Sequence, residues 1–91
     1  MKKGDFAGYD SNGQNLYIGS QAKLIAQYDD YPEEFEGWID IDAYGRITFY
    51  FYRADYDWFD ENGEYDFYLD EYYLDEITSN HNPPLKIFAL P

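Results

Sequence analysis

The chain contains no cysteine, one histidine and only six lysines and arginines among its 91 residues. Without cysteine, neither a disulfide framework nor a thiolate metal site can form, which fits a reducing cytoplasm. No apolar run is long enough to cross a bilayer, and the N-terminal MKKGDFAGYD has no apolar segment behind its lysines. We therefore expect neither a signal peptide nor a membrane anchor.

Sequence patterns of common enzymes are also missing. His81 is the only histidine, and it stands beside Asn82-Pro83-Pro84, a context typical of a loop. The serines lie in turn-like contexts without a Gly-x-Ser-x-Gly elbow, and there is no glycine-rich phosphate loop. A chain of this length also has little room for a deep substrate cleft. We expect a protein without catalytic activity and without a cofactor.

Metal binding is the next possibility, because residues 55–64 are rich in the carboxylates that calcium prefers. An EF-hand loop needs a glycine five residues after its first aspartate. Counting back five residues from Gly63 gives Trp58, which cannot supply an oxygen ligand from its side chain. The spacing therefore predicts no dedicated metal site.

The charge of the chain is strongly negative and unevenly placed. The net charge is −13, and residues 29–76 hold 17 of the 19 carboxylates with two arginines, a local net charge of −15. Such a field repels nucleic acid and anionic lipid and attracts basic proteins. Disordered acidic chains are poor in aromatic residues, whereas 23% of this chain is aromatic, so we expect a folded domain.

Alternating residues predict an antiparallel hairpin in the middle of the chain. In residues 38–42 the isoleucines share one face and the aspartates the other, and in residues 47–52 apolar side chains alternate with threonine and tyrosine. The intervening Asp42-Ala43-Tyr44-Gly45 is typical of a type I turn.

A second hairpin is predicted around Asn62-Gly63, the strongest short signal for such a turn. The strand after it alternates between apolar and polar residues, so its two faces should differ. We expect Tyr65, Phe67 and Leu69 to face the core and Asp66, Tyr68 and Asp70 to face outward.

The remaining segments complete a mainly β prediction. A turn is predicted at residues 11–13, strands at 22–28 and 85–89, a polar loop at 29–36 and a short helical turn at 72–77. Five or six short strands with glycine turns favour a single domain, residues 1–91, built as a small barrel or a rolled antiparallel sheet.

The layout resembles the SH3-like barrels of small bacterial and phage proteins. The resemblance depends on Lys3-Gly4-Asp5 opening the first strand, Ile18-Gly19-Ser20 entering the second, and residues 72–77 before the last. It implies a small SH3-like barrel.

Carboxylates recur at every second position in the predicted strands. Residues i and i+2 of a strand share a face about 6.6 Å apart, and one DNA strand carries a charge about every 3.4 Å. Two adjacent carboxylate rows would therefore approach the charge density of DNA. The candidate partner-binding residues along these rows are Asp40, Asp42, Asp55, Asp57, Asp60, Glu61, Asp66, Tyr68 and Asp70.

Tyrosine adds a second property to this acidic surface, since the chain has 12 tyrosines and 7 phenylalanines. On a surface, tyrosine supplies rigid contact area with a polar tip and stacks on arginine. Rings and carboxylates together therefore suit partners rich in arginine and lysine.

Size, acidity and aromatic content together resemble the DNA-mimic inhibitors of phages and mobile elements, including anti-CRISPR and anti-restriction proteins. The resemblance implies an inhibitor that occupies the nucleic-acid site of a basic nucleic-acid-binding protein, such as a nuclease or a CRISPR or restriction effector. It would act in the cytoplasm of the bacterial host cell, without binding nucleic acid or membrane directly. Two alternatives remain open: an immunity protein or antitoxin that neutralises a basic nuclease toxin, and an SH3-like structural or accessory module.

Overall fold

The structure is a computed structural model that describes residues 1–59 and 61–91; for residues 56–59 it describes the backbone only. It contains seven strands and one short helix. They are β1 (Phe6–Tyr9), β2 (Asn15–Tyr17), β3 (Gln21–Gln27), β4 (Pro32–Ile41), β5 (Ile47–Phe59), β6 (Tyr65–Tyr73), α1 (Leu74–Ile77) and β7 (Leu85–Ala89).

The strands form two antiparallel sheets. The larger has the order β6-β5-β4-β3-β7, and the smaller pairs β1 with β2. The mainly β prediction is confirmed, with seven strands rather than five or six. Among the described residues, β6 and β7 lie at opposite edges of the larger sheet. The strand order of that sheet is therefore open, because its first and last strands do not pair with each other.

Both predicted hairpins are present. Gly45, in the turn between β4 and β5, has φ +80°, and Gly63, in the turn before β6, has φ +79°. Only glycine adopts this region without strain, which is why these turns form where they do. The predicted helical turn at residues 72–77 is present only from Leu74 to Ile77, as α1, because Tyr72 and Tyr73 are the last residues of β6.

The core lies on one face of the larger sheet. Alternate residues of β3, β4 and β5 supply it, and β1, β2 and α1 cover it from the other side. Its largest fully buried side chains are Phe49, Phe51, Leu16, Leu24, Ile39 and Ile87. Large aromatic side chains compensate for the small volume that a chain of this length can enclose.

The β7 edge is closed by the turn between β1 and β2. Ser11 N–H donates to the Ile87 carbonyl at 2.8 Å, and Ile87 N–H donates back to Ser11 Oγ at 2.9 Å. The buried Asp10 carboxylate accepts from Ala89 N–H at 2.9 Å. These bonds occupy backbone groups that would otherwise form an open sheet edge.

The backbones of β4 and β5 lie very close together at Gly37. A Cβ at Gly37 would overlap the backbone carbonyl oxygen of Tyr50 and come within 2.9 Å of the Phe49 ring. β4 pairs with β3 from Pro32 to Trp38 and with β5 from Gly37 to Ile41, so the two pairings overlap only at Gly37 and Trp38. Only glycine allows the two backbones to approach this closely.

β4 pairs with β5 only as far as Phe51, and beyond that residue β5 and β6 continue as a two-stranded ribbon. We call this ribbon the arm: residues 52–59 of β5 and 65–69 of β6, with the turn that joins them. The radius of gyration is 14.1 Å, compared with about 12 Å for a compact domain of this length. A projecting arm accounts for the difference.

The polar loop predicted at residues 29–36 is wrong, because β4 begins at Pro32. Proline is tolerated at the first position of a strand, where no ladder bond from its nitrogen is needed. After it, Glu33 and Phe35 face the core side and Glu34 and Glu36 the solvent side, in register with β3. The density of glutamates hid an alternation that follows strand periodicity.

The predicted facing of β6 is also wrong. Phe51 is fully buried and lies opposite Asp70 in the β5–β6 register, so Asp70 is on the core side of the sheet. Phe67 and Leu69 are on the opposite side, with 68% and 50% of their surface exposed, and Tyr65 is also exposed. The core ends at Phe51, so the apolar alternation of the arm has no core to enter.

Candidate partner-binding site

Arg53 fixes the base of the arm to the rest of the sheet. Its guanidinium lies 3.5 Å from Asp70 Oδ2 and 3.7 Å from Glu33 Oε2, and it donates to the Tyr28 hydroxyl at 3.4 Å. It also lies 5.4 Å from the centre of the Phe35 ring. One arginine therefore joins β5 to β6, to β4 and to the end of β3 through charge-assisted contacts.

Asp70 thus has an internal role rather than the outward position predicted for it. Its side chain is 30% exposed and its second oxygen, Oδ1, accepts from Glu71 N–H at 2.8 Å. The carboxylate neutralises Arg53, so it adds little to the outward negative field of the arm.

The arm carries most of the candidate residues. Asp55 lies directly opposite Asp66 in the register, so both carboxylates are on the core-side face of the arm. Asp66 is exposed, as is Glu61 in the turn, and Tyr68 is 45% exposed. The structure therefore brings Asp55, Asp66 and Tyr68 together on one face.

Two further candidates, Asp57 and Asp60, cannot be placed in this way. The side chain of Asp57 and the whole of Asp60 lie outside the described residues.

Asp40 and Asp42, predicted to form a row, lie in different environments. Asp40 is exposed on the outer face of β4. Asp42 follows the strand, and its Oδ1 accepts from Arg46 N–H at 2.8 Å and Tyr44 N–H at 2.9 Å. The Arg46 bond is the main cause that lowers the pKa of Asp42, against the opposing effect of desolvation. Asp42 is a turn-forming residue.

The outer face of the sheet carries a second surface, an apolar strip that we call the outer strip. Its members are opposed or adjacent on β4, β5 and β6: Trp38, Tyr50, Tyr52, Phe67 and Leu69. The Trp38 ring centre lies 5.9 Å from those of both Tyr50 and Tyr52. Tyr52 is 61% exposed and lies opposite Leu69. Few soluble domains leave such a continuous apolar strip uncovered without a binding role.

Carboxylates border the outer strip. Glu36 and Asp40 stand on either side of Trp38 along the outer face of β4, and Glu71 lies opposite Tyr50; all three are exposed. Burial raises the pKa of the Tyr50 hydroxyl, and the charges of Glu71, Asp42 and Asp40 raise it further. The strip is therefore apolar at its centre and negative at its border.

The only histidine is held in a structural contact. His81 Nδ1 lies 2.8 Å from the Pro83 carbonyl oxygen, and its ring packs edge-on against Tyr72 with centres 5.4 Å apart. Among the side chains that the structure describes, those of residues 1–55 and 61–91, no group of three histidine, aspartate or glutamate side chains is arranged to hold a metal ion. Of the helices in the described part of the chain, none has the length and apolar character needed to cross a membrane.

Sequence reasoning missed the Arg53 network, although one signal pointed to it. Residues 49–76 contain ten carboxylates and Arg53 as the only base. A single arginine among many carboxylates is expected to form ion pairs with those nearest to it. In the structure Arg53 pairs with Glu33 and Asp70.

Comparisons with protein-family models, with curated proteins and with solved structures give no match to this chain. The arm and the outer strip are therefore the features from which we infer a function.

Proposed function

We propose that this protein is a non-catalytic acidic inhibitor that binds a basic nucleic-acid-handling protein and occupies its nucleic-acid site. The observation that carries the proposal is the arm. Residues 52–69 contain six carboxylates and Arg53 as their only base, and Arg53 is already paired with Glu33 and Asp70. A narrow, strongly negative ribbon that projects from a folded body is suited to enter a positively charged groove.

The amount of exposed charge supports a binding role. A small domain is kept soluble by a net charge of magnitude about 2–8, whereas this chain carries −13. Lys23 and Arg53 form ion pairs with Glu33, Glu34 and Asp70. Ten described carboxylates are in exposed residues: Asp29, Asp30, Glu34, Glu36, Asp40, Glu61, Glu64, Asp66, Glu71 and Asp75. Repulsion among this many carboxylates destabilises a compact fold. Attraction of a basic partner would account for a charge beyond what solubility requires.

The spacing of charge along the arm supports a nucleic-acid site as the target. Antiparallel strands lie about 4.8 Å apart, with same-face residues about 6.6 Å apart along each strand. Asp55 and Asp66, opposite one another, are one such cross-strand pair. Two acidic rows at these separations approximate the charge spacing of a nucleic-acid backbone.

A pair of charge variants tests whether the arm guides binding. The test variant is Glu61→Gln with Asp66→Asn, and the control is Asp5→Asn with Asp75→Asn, which changes the net charge equally but outside the arm. Each protein captures partners from a bacterial lysate at low salt, and association rates with the purified partner are then measured across a salt series. Opposite charges steer association, so the arm variant should bind more slowly and its rate should depend less on salt.

The control variant should keep most of the wild-type association rate and salt dependence. Equal effects of the two variants would show that only total charge matters, and the arm would lose its assigned role. An association rate that does not change with salt for the wild type would contradict charge-guided recognition and favour an accessory packing module.

A further inference from the structure

The outer strip lies on the opposite face of the sheet from the core, and the acidic charge of the arm does not explain its apolar character. It combines exposed apolar rings with a border of Glu36, Asp40 and Glu71. Charge of one sign around an apolar centre selects a partner that carries both apolar stems and charges of the opposite sign.

The chain already shows which cation fits this combination. Arg46 lies 3.6 Å from the centre of the Tyr73 ring, and the Asp42 carboxylate accepts from the Arg46 backbone N–H at 2.8 Å. Arg53 lies beside the Phe35 ring, next to Glu33 and Asp70. Both arginines of the chain therefore sit against an aromatic ring with a carboxylate close by. This is the geometry in which a guanidinium stacks and forms charge-assisted hydrogen bonds at once.

We propose that the outer strip binds an extended, arginine-bearing segment of the partner, with guanidinium groups stacked on Trp38 and Tyr52 and directed toward Glu36, Asp40 and Glu71. This inference rests on the proposed function for the identity of the partner as a basic protein. A second copy of this chain is a poor occupant, because each copy carries a net charge of −13 and the strip is bordered by carboxylates on both sides.

Arginine and lysine should be distinguished by this surface. Guanidinium is planar, weakly hydrated and able to bond a carboxylate through two N–H groups while it lies flat on a ring. An ammonium group is strongly hydrated and binds mainly as a point charge. A surface that acted only through net charge would bind both equally, so the preference separates ring stacking from simple attraction.

The test uses two short synthetic peptides, in which serine alternates with arginine in one and with lysine in the other. Binding is followed through Trp38 fluorescence in a Trp58→Phe background, which leaves a single indole. At physiological ionic strength the arginine peptide should bind about fivefold or more tightly than the lysine peptide. The double variant Tyr52→Ser, Phe67→Ser should weaken the arginine peptide about tenfold and remove most of the preference.

A matched control removes two other exposed rings without changing charge. Tyr9 and Tyr44 are 59% and 88% exposed and lie outside the strip, so Tyr9→Ser, Tyr44→Ser should bind both peptides like the wild type. Equal affinity for the two peptides, or equal weakening by the two double variants, would overturn the assignment of the strip. Because the peptides replace the partner, this result is independent of whether the partner's site is a nucleic-acid site. The arginine peptide could bind more tightly than the lysine peptide while DNA fails to displace the protein from its partner. That combination would refute the proposed function and still support arginine binding by the outer strip.

Discussion

The Arg53 guanidinium lies 3.5 Å from Asp70 across the β5–β6 pair, Nη1 to Oδ2, and both side chains are about three-quarters covered. Replacing Arg53 with methionine keeps much of the apolar stem but leaves Asp70 and Glu33 without their cation. We expect a loss of about 1–3 kcal/mol in the free energy of unfolding, between the values for exposed and fully buried pairs. Arg46→Met is the matched control, and its exposed contact with Tyr73 should be worth less than about 1 kcal/mol. Chemical denaturation of both variants measures the difference, and equal losses would contradict the anchoring role of Arg53.

The facing of β6 can be tested with two phenylalanines. Phe51 is fully buried and Phe67 is 68% exposed. Phe51→Ala should lower the free energy of unfolding by about 3–5 kcal/mol, whereas Phe67→Ala should change it by no more than about 0.5 kcal/mol. Thermal denaturation distinguishes the two, and a large loss for Phe67→Ala would show that this side chain is buried after all.

The close approach of the β4 and β5 backbones depends on the absence of a side chain at Gly37. A Cβ there would overlap the Tyr50 carbonyl oxygen, so the strands would have to separate. Gly37→Ala should therefore cost about 3 kcal/mol or more. Gly63→Ala is a useful comparison, because space around Gly63 is open and only its φ of +79° opposes a side chain, which costs about 1–2 kcal/mol. If denaturation curves show a larger loss of stability for Gly63→Ala than for Gly37→Ala, the close approach of β4 and β5 at Gly37 is contradicted.

Asp10 should link the stability of the fold to pH. Desolvation alone would raise its pKa, but hydrogen bonds that the carboxylate accepts from the Ala89, Gln14 and Asn12 N–H groups outweigh it and hold the pKa below 3.8. The folded state therefore favours the charged form. Its stabilising contribution is present above pH 3.8 and is lost as the pH falls through the lower folded value.

Asp10→Asn should be less stable than the wild type by about 2 kcal/mol at neutral pH, and the gap should narrow below pH 3.8. Taking the difference between the two proteins at each pH cancels most of the self-repulsion of the acidic chain, which changes with pH in both. A gap that stays constant down to low pH would show that the Asp10 charge does not contribute.

The sequence was informative where one face of a strand is buried. The hairpin from β4 to β5 follows directly from alternation around Ile39, Phe49 and Phe51, because a buried face fixes the register. The facing of β6 could not be obtained this way. Beyond Phe51 neither face of the arm contacts the core. The alternation of Phe67 and Leu69 with acidic residues therefore distinguishes two exposed faces of the strand, and not a buried face from an exposed one.

The exposure of some candidate residues was predictable from the sequence, but the neighbours of others were not. Charge density pointed to the arm, and Asp66 and Glu61 are exposed there as expected. Asp42 departs from the expected row because it accepts a backbone hydrogen bond from Arg46, and Asp70 departs from it because it forms an ion pair with Arg53. The Asp70 contact depends on a neighbour that only the folded structure brings close. The outer strip needed the register as well, since only pairing brings Trp38 on β4, Tyr52 on β5 and Leu69 on β6 onto one face.

The most direct test of the central claim is competition for the partner that the protein captures. The partner's affinity for duplex DNA is measured at physiological ionic strength in the presence of increasing amounts of this protein. If the protein occupies the nucleic-acid site, the apparent Kd for DNA should rise in proportion to its concentration, and excess DNA should release the protein from the partner. A ternary complex of partner, DNA and this protein, with the DNA affinity unchanged, would contradict the proposed mimicry.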